Sequence, residues 1–118
     1  MNYQENKIWI VIIAFLGTSV SFAQLNKDDI SIVQFSAKFV QNNELSLESF
    51  NQYNVQTIYI EEHKELFKKE KIKYLPTLKL FNEGEQVLII TSDLSLKLPA
   101  DAVETLNQEI NNILKTKF

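Results

Sequence analysis

The spacing of apolar and polar positions changes several times along this chain, and each change marks an element. Residues 30–35 (ISIVQF) are apolar at Ile30, Ile32, Val33 and Phe35. That is denser than strict alternation and predicts a strand buried on both faces, central in its sheet. Ala37, Phe39 and Val40 carry the apolar character toward a polar stop at residues 41–43 (QNN). Asn43 is suited to cap a short helix running to about residue 52, with Glu44 in its first turn and Leu47 and Phe50 on one face. Residues 55–60 (VQTIYI) predict a second strand by their β-branched content, and residues 63–71 (HKELFKKEK) a second helix with Leu66 and Phe67 inward.

Residues 73–87 (KYLPTLKLFNEGEQV) are the most informative stretch. A residue before proline is pushed out of the helical region, so the second helix ends before Leu75, and Pro76 opens a third strand over residues 76–81. Along it Leu78 and Leu80 share one face, while Thr77, Lys79 and Phe81 share the other. A polar turn at residues 82–85, containing Gly84, folds the chain back into a fourth strand, residues 86–91 (QVLIIT). In the loop that follows, Leu94, Leu96 and Leu98 are spaced by two, which predicts a short extended segment against the core. Asp101 and Glu104 have the spacing of a capping box. Val103, Leu106, Ile110, Ile113 and Leu114 then form a stripe at helical spacing.

Residues 1–23 change the picture of the N-terminus. Lys7 precedes an apolar run at residues 8–16 (IWIVIIAFL), and Ser21, Phe22 and Ala23 place small residues where a signal peptidase reads. The expectation is a signal peptide cleaved before Gln24, a periplasmic or secreted protein, and a single domain over residues 24–118. The alternative is an uncleaved membrane tether. Against it, Gly17, Thr18, Ser19 and Ser21 interrupt the run, and a span needs about 20 mainly apolar residues.

Composition narrows the chemistry. In 118 residues, 45% hydrophobic, there are 12 basic side chains against 15 acidic ones, and none is arginine. A nucleic-acid role is not indicated, because the planar fork that clamps phosphates is missing. The chain has no cysteine. Thiol redox chemistry, a cysteine nucleophile, cysteine-ligated zinc and a lipidated cysteine are therefore all excluded. His63, beside Glu61 and Glu62, is the lone histidine and reads as a surface residue rather than a metal ligand or catalytic base. The lysines from Lys64 to Lys73 are interleaved with Glu65 and Glu70, as on a solvated helix face. No catalytic triad, phosphate loop or carboxylate pair is present, and no cofactor or metal is implied.

The predicted order is β-α-β-α-β-β-α. Its opening β-α-β demands parallel strands and its hairpin an antiparallel pair, so the class is α/β, a mixed four-stranded sheet with helices on both faces. Residues 55–87 resemble thioredoxin. They carry a strand, the acidic Glu61, a helix, an apolar-x-x-apolar-Pro-Thr junction from Ile72 to Thr77, an apolar strand and a turn with glycine. The preceding strand extends the likeness. Where thioredoxin has Phe-Trp-Ala-x-Trp before Cys-Gly-Pro-Cys, this chain has Phe35-Ser36-Ala37-Lys38-Phe39 before Val40-Gln41-Asn42-Asn43.

The resemblance implies a thioredoxin-like fold in which Val40 and Asn43 occupy the two cysteine positions and Gln34 replaces the buried acid. It also implies that Pro76 is the family's cis-proline. Departures are the missing cysteines, a shorter helix after the loop, and no counterpart of thioredoxin's first strand and helix. The chain is also similar to small exported proteins of Bacteroidetes that end, as here, in an amphipathic helix and a terminal Lys-Phe. Pro76 has two readings: a turn the fold requires, or a retained peptide-binding groove made with Phe39, Tyr74 and Leu75. The function expected is a redox-inactive module binding an unknown protein or peptide, not an enzyme. The alternative is a structural or assembly subunit associating through its last helix, in contact with membrane only if the N-terminal segment is uncleaved.

Overall fold

The computed structural model describes residues 29–117. The expected signal peptide and its cleavage point fall outside the described residues. Four strands form one sheet in the order β2-β1-β3-β4: β1 (Ile30–Ser36), β2 (Asn54–Tyr59), β3 (Thr77–Asn82) and β4 (Glu85–Thr91). β1 runs parallel to β2 and antiparallel to β3, and β3 pairs antiparallel with β4, so the sheet is mixed as the element order required. β1 lies inside the sheet, which explains its density of apolar residues.

Alternation along β1 and β3 separates two faces. Ile30, Ile32, Leu78 and Leu80 share one face, joined by Ile90 of β4, Phe50, and Ala102, Leu106, Ile110 and Ile113 of the C-terminal helix. That helix, α2 (Ala102–Lys117), begins just after Asp101, whose carbonyl accepts the Thr105 N–H at 2.9 Å. Its inward stripe is rotated from the expected one. Ala102 is buried and Val103 is 38% exposed, because the stripe continues upward from Leu106 by four residues rather than three.

The opposite face carries Phe35 and Lys79 beneath a short helix, α1 (Lys64–Lys69). Phe67 of α1 meets Phe35 edge to face, ring centroids 5.2 Å apart. α1 is shorter than the expected residues 63–71. Lys71 takes a left-handed φ of 58°, and the bonds from Lys71 N–H to Lys68 C=O and from Ile72 N–H to Phe67 C=O close the helix in a Schellman motif.

One expected helix is not there. The chain instead makes a 3-10 segment that ends at Asn43, Lys38–Asn43, and a single 3-10 turn, Glu48–Phe50, with Glu44 extended between them. Glu44 has ψ 150°, and the groups that would start a helix are engaged elsewhere. Leu45 N–H donates to Gln34 Oε1 at 2.8 Å, Gln34 Nε2 donates to Leu45 C=O at 3.0 Å, and Ser36 Oγ donates to Glu44 Oε2 at 2.8 Å. The hairpin turn is as expected: Glu83 and Gly84 have φ of 54° and 84°, the left-handed pair a two-residue turn demands. A bulge between Leu80 and Phe81 breaks the β3–β4 register.

Candidate functional site

Three loops leave one end of the sheet together. Phe35 stands opposite Thr77, and Thr77 opposite Thr91. The chain after β1, the chain before β3 and the chain after β4 are therefore neighbours. Two hydrogen bonds knit them: Ser92 N–H donates to Pro76 C=O at 3.1 Å, and Asn43 Nδ2 donates to Leu96 C=O at 2.8 Å.

The first loop holds Val40 and Asn43, the two positions expected to stand where thioredoxin has its cysteines. Val40 is buried and fills its position with a branched apolar side chain. Asn43 is half-buried and spends its amide on Leu96. Between β1 and this loop, Lys38 N–H donates to both carboxylate oxygens of Glu61, at 3.1 and 3.2 Å, which ties the loop to the end of β2. Gln34 lies buried behind the loop, its amide committed to Leu45 and, through Nε2 at 3.3 Å, to Thr57 Oγ1. It holds backbone in place and carries no ionisable proton.

In the second loop the Leu75-Pro76 bond is cis. Pro76 is buried, Leu75 half-buried and Tyr74 41% exposed. Thr77 Oγ1 donates to Tyr74 C=O at 2.6 Å, fixing the approach to the strand. Among the described residues, no hydrogen bond engages the N–H or C=O of Leu75.

The third loop was expected to lay three leucines against the core, and only Leu98 packs there. Leu94 is 85% exposed, and Leu96 adopts a left-handed φ of 66°. The cause is Asp93. Its Oδ1 accepts from Ser95 Oγ, from Ser95 N–H at 2.9 Å and from Lys97 N–H at 3.2 Å, curling the loop into a tight turn. The Ser95 hydroxyl above all, then the Lys97 N–H, hold this carboxyl below the ordinary aspartate value. An Asp two residues before a Ser is the signal by which this turn is recognisable in the sequence.

Phe39, 72% exposed on the first loop, joins Tyr74 and Leu94, so each of the three loops presents a large apolar side chain to solvent. The candidate groove residues Phe39, Tyr74, Leu75 and Pro76 thus lie at one end of the sheet, with Leu94 as an addition the leucine spacing concealed. His63 is elsewhere. It is exposed at the start of α1, in a shallow concavity lined by Glu61, Glu62, Lys64 and Lys69, and no group of described residues is arranged to hold a metal ion.

No protein-family model matches the chain, and no curated protein matches its sequence. Solved structures do. A thioredoxin of Halobacterium salinarum, a single-substitution variant, is 26% identical and superposes with a TM-score of 0.56, covering 74% of this chain and 80% of its own. Schistosoma mansoni thioredoxin gives a TM-score of 0.57 at 16% identity, covering 81% of this chain and 87% of its own. Oxidised Plasmodium falciparum thioredoxin gives 0.53 at 18% identity, covering 78% and 90%. The fold is thioredoxin-like. With no cysteine in the sequence, the dithiol centre of a thioredoxin is absent.

Proposed function

We propose that this chain is an exported, redox-inactive thioredoxin-fold module that binds an extended segment of a partner protein or peptide across the loops around Pro76. One observation carries the reading. Phe39, Tyr74 and Leu94 are exposed on three separate loops that leave the same end of the sheet, and among the described residues the backbone donor and acceptor of Leu75 are unengaged. Exposed large apolar side chains gathered in one place mark interaction surfaces, and an extended peptide is the ligand that uses free main-chain groups. Export is supported by the pattern of residues 1–23, a lysine, an apolar run and a small-residue cleavage site. A non-enzymatic role is supported by the commitment of Gln34 and Asn43 to backbone partners.

The assembly reading draws no support from the last helix. Its outer face is made of Glu104, Asn107, Gln108, Asn111 and Lys115, with Val103 as the apolar exception.

The test compares capture of partners from the exported fraction of the producing cell by the native protein and by a Phe39→Ser/Leu94→Ser variant. Both positions are surface positions, so the variant keeps its fold. Loss of the captured species with the variant is expected, and equal capture by the two would overturn the reading. An insulin-reduction assay should show no rate above blank.

A further inference from the structure

The outer edge of β2 is open. In the order β2-β1-β3-β4 it forms one border of the sheet, and among the described residues no strand pairs with its far side. Ile60 N–H donates to Ser36 C=O at 2.9 Å, so the even-numbered residues of β2 turn their main chain toward β1. Val55, Thr57 and Tyr59 therefore turn theirs outward. Such an edge is ordinarily blunted by a lysine, a proline or a bulge. The other border, β4, has a bulge in its pairing and begins with Glu85. β2 reads NVQTIY, without charge, proline, glycine or register shift.

We infer that this edge pairs with the β2 edge of a second copy of the chain, antiparallel, about a two-fold axis at Thr57. Geometry selects that register. In an antiparallel two-fold pair, facing residues must point to the same side of the sheet, and only centring on Thr57 matches all three outward residues, Val55 with Tyr59 of the second copy and Thr57 with its equivalent. The two Thr57 residues exchange a pair of hydrogen bonds, and each Tyr59 N–H reaches the Val55 C=O opposite. The side-chain pairs are of the kinds that favour pairing, β-branched with aromatic and threonine with threonine.

Charge agrees with a self-partner. No carboxylate, ammonium or imidazole lies within β2 to meet its own image, and Glu61 and Glu62 fall at the end where the second copy presents Tyr53 and Gln52. The association is independent of the loops around Pro76, which sit at a different border of the sheet. It leaves them free on both copies.

The test is sedimentation velocity of the protein with its native N-terminus, across a concentration series, for the wild type, Thr57→Lys and Thr57→Glu. The wild type should rise toward twice the chain mass. Each variant alone should stay at the monomer mass, because like charges meet at the axis, and an equimolar mixture should regain the doubled mass. A monomeric wild type throughout, variants that still dimerise, or a mixture that stays monomeric would each overturn the inference. If circular dichroism shows either variant unfolded, amide exchange on the wild type decides. Slowing at Val55, Thr57 and Tyr59 as concentration rises supports the pairing, and exchange independent of concentration overturns it.

Discussion

The side-chain amide of Gln34 is hydrogen-bonded to the backbone of Leu45 in both directions, accepting its N–H at 2.8 Å and donating to its C=O at 3.0 Å. A buried glutamine thus plays the part of a neighbouring strand for one residue of loop. The loop it pins replaces a helix and carries the exposed Phe39 at its start.

Replacing Gln34 with leucine keeps bulk and removes both bonds, leaving the Leu45 peptide groups unpaired in a half-buried setting. The expected cost is about 2 kcal/mol, since an orphaned buried donor or acceptor forfeits roughly 1–3 kcal/mol. Urea denaturation reads it as a lowered midpoint with an unchanged slope. An unchanged midpoint for Gln34→Leu would show that the clamp carries no stability.

Asp93 makes the third loop sensitive to acid. Its folded pKa is depressed, chiefly by the Ser95 hydroxyl and then by the Lys97 N–H. A depressed folded value means the stabilisation is present above the unfolded pKa and is lost as pH falls through the folded one. An NMR titration should place the Asp93 midpoint below that of the same residue in an unfolded peptide of residues 92–98, and protonation should lower the protection of the Ser95 and Lys97 amides relative to their intrinsic exchange rates. A midpoint at or above the peptide value would contradict this.

Lys79 is buried on the α1 side of the sheet, 2.8 Å from Glu70 Oε1 and 3.3 Å from the Glu70 carbonyl, with its ammonium 5.8 Å from the centre of the Phe35 ring. Removing one partner of such a pair costs more than replacing the buried cation with an apolar chain. Glu70→Ala should destabilise by about 2 kcal/mol, discounted from the fully buried case because the Glu70 side chain is 28% exposed. Lys79→Met should stay within about 1 kcal/mol of the wild type. Thermal unfolding of the two variants checks the order, and the reverse order would show that Glu70 is not what compensates the buried ammonium.

What the sequence makes legible here follows from the range of the forces involved. The Glu83-Gly84 turn, the central placement of β1 and the existence of α2 rest on local dihedral preference and on periodicity, and all are present. The helix expected from Asn43 fails because its competitor, Gln34, is 11 residues away and meets Leu45 only once the sheet has formed. The same holds for the site. Val40, Asn43 and Pro76 were marked by likeness, yet the exposure of Leu94 depends on a side chain, Asp93, that reshapes an apolar-looking loop. Lys79 alternates correctly onto one face of β3, and only the folded chain brings Glu70 to it.

The central claim is that the loops around Pro76 hold an extended peptide without thiol chemistry. Its most direct test is an NMR titration of the 15N-labelled protein with cysteine-free, apolar, extended peptides up to roughly millimolar concentration, the weak end of specific binding. The account predicts saturating shifts concentrated at Phe39, Tyr74, Leu75 and Leu94, and their loss in the Phe39→Ser/Leu94→Ser variant. Shifts confined to other elements, or identical shifts in that variant, would contradict it.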